Sequence, residues 1–110
     1  MMLFLLLAGH AIADFCLQNP DMAKGKNRHS TPLNYNPKLH GPLQICWPYY
    51  LAAHALCHGL MIFLITKNLW FGLAETFLHF IIDFGKCERF YGIHRDQLLH
   101  ILCKVGYCIL

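Results

Sequence analysis

The chain has little charge. Of its 110 residues 14% are charged and 56% hydrophobic, too few charges to clothe a soluble domain of this length and too much apolar content for disorder. Met1 to Ala13 and Leu51 to Ile65 hold no Lys, Arg, Asp or Glu at all. These gaps define the expectation of an integral membrane protein. The six cysteines (Cys16, Cys46, Cys57, Cys87, Cys103, Cys108) include no CxxC pair, and four sit in or beside apolar segments, which argues against a disulfide framework or a zinc ribbon. The basic residues do not gather on one face. The net charge of +3 is spread between the apolar stretches, so no nucleic-acid partner is expected. The opening also lacks a basic n-region, although Ala11-Ile12-Ala13 mimics a cleavage site and Leu7-Ala8-Gly9 precedes His10 where a lipoprotein signal requires Cys. A retained first helix is therefore expected.

What is present organises into four apolar segments. The expected fold is all-α, a single membrane domain of four antiparallel transmembrane helices at about 1–18, 47–66, 69–85 and 96–110. Residues 19–46 carry Pro20, Pro32, Pro37 and Pro42, which disfavour a long helix and predict a long Pro-rich loop, either solvated or lying at the headgroups. Trp47, Tyr49, Tyr50, Trp70 and Phe71 match interfacial aromatic belts. The short Lys67-Asn68 link forces an antiparallel hairpin, and Asp96 is a plausible N-cap for the fourth segment. Lys and Arg number four in residues 19–46, one in the link and three in residues 86–95. By the positive-inside rule both basic loops are cytoplasmic and both termini lie outside, with the bacterial inner membrane as the expected location.

The ionisable residues inside the apolar segments recur every four positions: His10, Asp14 and Gln18; His54 and His58; Glu75, His79 and Asp83; Asp96 and His100. Positions i and i+4 share a helix face, so each segment presents one polar stripe. At about 1.5 Å per residue from the cytoplasmic ends, Asp14, His10, His54, His79 and His100 reach roughly the same depth, 6 to 12 Å. Such residues are costly in a membrane and usually face a bundle interior for a reason. Five imidazoles and four carboxylates suit one or two divalent ions, zinc or iron, better than they suit a single closed site. The candidate metal ligands are His10, Asp14, His54, His58, Glu75, His79, Asp83 and His100. Asp96, Gln97 and Gln18 are candidates for the shell around them. Cys57 points about 100° from His58 and reads as packing.

Three other readings compete. A hydrogen-bonded His/Asp network could knit the helices together, as in a small subunit of a larger membrane assembly or a homo-oligomer. Two histidines at matching depth suit axial ligation of haem, though the carboxylates favour a harder cation. A chain of Asp, Glu and His also marks ion, proton or metal transport, but the outer halves of the first, second and fourth segments are nearly apolar apart from Lys104.

With the flanking Leu7-Ala8-Gly9-His10-Ala11-Ile12-Ala13-Asp14-Phe15-x-Leu17-Gln18, the four polar blocks in this order resemble an uncharacterised family of small bacterial and phage multi-pass membrane proteins, a domain of unknown function. The likeness covers nearly the whole chain and implies a membrane protein without an activity. A looser resemblance, in style rather than in aligned motifs, is to membrane-bound metal-dependent hydrolases. It implies metal-activated water attacking a lipid-borne or amphiphilic substrate, with Glu75 or Asp14 as the base. The basic loop would draw in an anionic headgroup.

Overall fold

The computed structural model describes residues 1–18, 20–29, 37–40 and 47–110. The described residues are helical, without strands. Helix α1 (Met2–Ala11) runs on into a π-helical turn, Ile12–Cys16; α2 is Pro20–Gly25, α3 Pro37–His40, α4 Trp47–Thr66, α5 Leu69–Cys87 and α6 Ile93–Ile109. The expected second segment matches α4, and the third extends two residues past its expected end. Three expectations need correction. Residues 19–46 are not loop throughout, because α2 and α3 lie within them; Pro32 and Pro42 lie outside the described residues. The first segment is not uniform, since the Leu17 amide reaches back five residues to the Ile12 carbonyl at 2.9 Å. Finally, Asp96 is not an N-cap: α6 begins a turn earlier after Gly92, and Asp96 falls inside it with no solvent exposure.

The four long elements form a ring. α4 packs on α1 and α5, α6 packs on α5 and α1, and the diagonal pairs meet only through side chains at the centre, His10 facing His79 and His58 facing His100. Every neighbour in the ring is antiparallel. Leu6 meets Ile62 and Tyr107, while one turn and two turns further along α1 His10 lies beside His58 and His100 and Asp14 beside His54. The α4–α5 turn is built for tightness. Lys67 adopts the left-handed conformation (φ 58°) that ends α4, and the Asn68 side chain accepts from the Trp70 and Phe71 amides at 2.9 and 3.3 Å, capping two orphan donors of α5.

Glycines set the spacing of this hairpin. A Cβ on Gly59 would stand 2.6 Å from the Gly72 carbonyl oxygen and would strike the Thr76 hydroxyl, and a Cβ on Gly72 would stand 2.9 Å from the Gly59 carbonyl. Backbone cannot yield as a flexible side chain does, so the pair works as a small-residue seam. Gly59→Val is expected to lower the thermal midpoint of the detergent-solubilised protein by the equivalent of about 1–3 kcal/mol, the range for overpacking. An unchanged midpoint would show that the helices separate freely.

The distribution of polarity is inverted relative to a soluble bundle. Among the described residues the buried polar or charged set is His10, Asp14, Lys26, His54, His58, Glu75, His79, Asp83, Asp96, His100 and Lys104, and it outnumbers the buried hydrophobic set. Meanwhile Phe4, Leu56, Leu60, Trp70, Phe77, Leu102 and Ile109 are exposed. Among the described residues one helix, Trp47–Thr66, is long and apolar enough to cross a membrane; Met2–Phe15 is apolar but shorter.

Candidate metal centre

The core is stratified along the ring axis. At one end Leu6, Ile62 and Tyr107 form an apolar layer backed by Ile65, Phe71 and Cys103. Beneath it Glu75 is held by Lys104 and by the Tyr107 hydroxyl, which donates to Oε2 at 2.9 Å. A histidine layer follows. His58 stacks on His79 with ring centres 3.6 Å apart, and His79 on His100 at 4.1 Å. His10 and His54 complete the cluster, with His10 at 5.1 Å from both His58 and His100, and His54 at 4.8 Å from His58 and 5.0 Å from His79. The last layer is acidic: Asp14, Asp83 and Asp96, with Gln97 among them.

The stripes therefore meet, because i, i+4 spacing on four antiparallel helices puts one polar face of each toward a common axis. Asp14 reaches that axis from the π-turn, a distortion that recurs at functional sites. Its Oδ1 lies 3.3 Å from His54 Nε2 and 3.5 Å from His58 Nε2, and its Oδ2 accepts from Gln97 Nε2 at 2.9 Å. Gln97 in turn accepts from His10 Nε2 at 3.1 Å, so it ties two of the expected ligands together. Gln18 is elsewhere: its amide reaches the Asp14 backbone carbonyl at 3.4 Å and supports the π-turn rather than the cluster.

Three groups bring donor atoms within 4.8 Å of one another: Asp14, His54, His58 and His79; Glu75, His79 and His100; and Asp83, Asp96 and His100. The middle group shares His79 with the first and His100 with the third. The first and third share nothing, so two ions at most fit without a residue serving twice. A tetrahedral zinc or ferrous site of 2.0–2.1 Å bonds places donors about 3.4 Å apart. In the first group His54 Nε2 and His58 Nε2 lie 3.3 and 3.5 Å from Asp14 Oδ1, close to that spacing.

Charge distinguishes the groups. Glu75 is matched by buried Lys104, Asp83 by buried Lys26 at 2.6 Å, and Asp96 by Lys86 at 3.6 Å from the rim. Asp14 has only histidines in ion-pair contact among the described residues. Satisfaction points the same way. His79 is fully buried and neither ring nitrogen has a hydrogen bond; His58 Nε2, His10 Nδ1, His100 Nδ1 and Asp96 Oδ1 are likewise unpartnered. Groups without a hydrogen bond are rare in folded cores; here His79 Nδ1 and Nε2 have only longer ion-pair contacts, 3.5 Å to Glu75 Oε1 and 3.6 Å to Asp83 Oδ2.

Lys26, Lys86, Lys104 and Tyr107 were not among the residues expected at the site. Lys104 was legible, because Asp96, His100 and Lys104 continue one i, i+4, i+8 stripe. Lys26 had no such signal: it lies in the turn after α2, within a segment whose prolines mask any periodicity. Outside the core, Arg28 and His29 clasp Glu88, His29 Nε2 lying 3.0 Å from Oε2, and this pairing holds the Glu88 carboxyl below its ordinary range. Cys57, Cys87, Cys103 and Cys108 are free thiols among the described residues.

Fold and site together define an all-helical ring bundle with a buried histidine–carboxylate core. The chain belongs to the DUF3307 family of proteins of unknown function, whose family model matches residues 2–107. No curated protein and no solved structure matches it.

Proposed function

We propose that the protein is a membrane-embedded metal-binding protein whose primary ion, zinc or iron, is held by Asp14, His54, His58 and His79. The observation that carries this reading is His79, fully buried with two unpartnered ring nitrogens. A metal ion satisfies one nitrogen; Glu75, 3.5 Å from His79 Nδ1, orients the ring through the other, as carboxylate–histidine–metal triads do. Since Lys104 and Tyr107 occupy both oxygens of Glu75, this reading gives Glu75 the orienting role and leaves Asp14 as the carboxylate nearest any metal-bound water. Hydrolysis of a lipid-borne or amphiphilic substrate is the activity such a water would support, and with four protein ligands in place the water would have to take a fifth coordination position.

The membrane reading rests on the inverted polarity and on α4, with four spans, basic loops cytoplasmic and lipid around the exposed apolar belt. At 19 residues α5 is nearly as long as α4, whereas the 10-residue α1 with its π-turn and the 17-residue α6 then require local bilayer thinning or neighbouring subunits. Haem fits less well, because rings stacked at 3.6 and 4.1 Å leave no slot for a porphyrin. A through-path for ions meets the apolar layer of Leu6, Ile62 and Tyr107. Elemental analysis of protein purified in detergent without chelator tests the proposal: about one equivalent of a transition metal is expected, and less than about 0.2 overturns it.

A further inference from the structure

Asp83, Asp96 and His100 form a second donor group that shares no residue with the first. All three side chains are buried. His100 Nε2 lies 3.3 Å from Asp83 Oδ1 and 3.5 Å from Asp96 Oδ1. Asp96 Oδ1 and His100 Nδ1 have no hydrogen-bond partner. Two buried carboxylates converging on one imidazole nitrogen, with Asp96 Oδ1 left without a hydrogen bond, would ordinarily be a divalent-cation site. Here a cation is already present. The ammonium of Lys26 is buried against Asp83 Oδ2 at 2.6 Å, and Lys86 stands 3.9 Å from Asp83 Oδ1 and 3.6 Å from Asp96 Oδ2. The two lysines balance the two carboxylates, and an ion entering beside them would meet two like charges at close range.

Lys26 comes from outside the ring. It follows α2, which packs on α4, and Gly25 lies so close to the Tyr50 ring that a Cβ would stand 2.6 Å from it. Beyond Lys26 the chain is fastened by the Arg28 and His29 contacts to Glu88. Lys26 is thus delivered by a separately anchored segment that can leave without dismantling the four-helix ring. Lys86, by contrast, is on α5 and partly exposed, free to turn outward.

We propose that Asp83, Asp96 and His100 are a second divalent-metal site, which Lys26 keeps closed by standing in for the ion. The occupancy of the protein is then set by the position of the α2 segment: one ion with Lys26 seated, two with Lys26 withdrawn. This site shares no ligand with the Asp14 group, although Asp83 Oδ2 adjoins it at 3.3 Å from His54 Nε2 and 3.6 Å from His79 Nε2, so the two readings are separated by variants of Asp96 and His58, each of which belongs to one group only.

The test is metal stoichiometry by elemental analysis after incubation of purified protein with zinc and desalting. Lys26→Met is expected to hold one equivalent more than wild type, and Lys26→Arg, which keeps the charge, the same number as wild type. Lys26→Met with the wild-type number overturns the proposal. Adding Asp96→Asn to Lys26→Met should remove the gained ion; adding His58→Ala should leave it and remove the other. If wild type holds none and Lys26→Met holds one, the second site stands and the Asp14 reading falls. Should Lys26→Met lose its helical circular dichroism, Lys26→Gln, which still hydrogen-bonds Asp83, serves the same comparison. A gained ion that survives Asp96→Asn would also overturn the assignment, because it would lie elsewhere.

Discussion

Asp14→Asn will leave the purified protein with less than about 0.1 equivalents of metal where wild type retains about one. Asparagine has the same shape and can still accept from Gln97, so the π-turn and the Gln97 bridge to His10 have no steric reason to change. What disappears is the one core carboxylate that has only histidines for ion-pair partners. Loss of a metal's surrounding shell costs 10–100-fold in affinity, and loss of a charged ligand exceeds that. Acid should do to wild type what the substitution does: protons compete with the ion for its imidazole and carboxylate ligands, so retention should fall as the pH is lowered. Full retention in Asp14→Asn would mean that the histidines hold the ion without it, or that the ion sits in another group.

Lys104→Met will destabilise the fold by about 3–5 kcal/mol, the cost of leaving a buried charge without its partner. Lys104 and Glu75 are both about 1% exposed, and beneath the apolar layer no water is at hand to take the ammonium's place. Methionine fills a similar volume, which separates the electrostatic loss from a cavity. The double variant Lys104→Met with Glu75→Gln should recover most of the loss, since a neutral amide can still accept from the Tyr107 hydroxyl. Denaturant unfolding in detergent, followed by helical circular dichroism, gives all three numbers. If the single variant is as stable as wild type, Glu75 is protonated in the native protein and the pair is not ionic.

The helices themselves were legible because hydrophobic runs of sufficient length admit few alternatives: α4 matches its expected bounds, and the hairpin follows from a two-residue link. The convergence of His10, His54, His58, His79 and His100 was legible for the same reason, i, i+4 spacing being a direct statement about which face a side chain occupies. The start of α6 was not. Asp96 looked like a cap because its residue type favours that position, but burial beside His100 outweighed propensity and the helix began on Gly92 instead. The π-turn left no mark, as one inserted residue changes no composition. Lys26 was misread for a deeper reason: a lysine between prolines ordinarily means solvent, and only a tertiary contact across 57 positions with Asp83 reverses that meaning.

The stratified core also has a chronology. The α4–α5 hairpin carries His54, His58, Glu75, His79 and Asp83, yet none of the ammonium groups that neutralise these carboxylates resides in α4. Lys26 and Asp14 are made before the hairpin, whereas Lys104, Gln97 and Tyr107 arrive only with α6, which is synthesised after it. Until α6 docks, the growing chain must present Glu75 on an open, uncompensated face. The step that makes the interior of this bundle dry therefore comes with α6, and Glu75 waits on that helix for its Lys104 and Tyr107 partners.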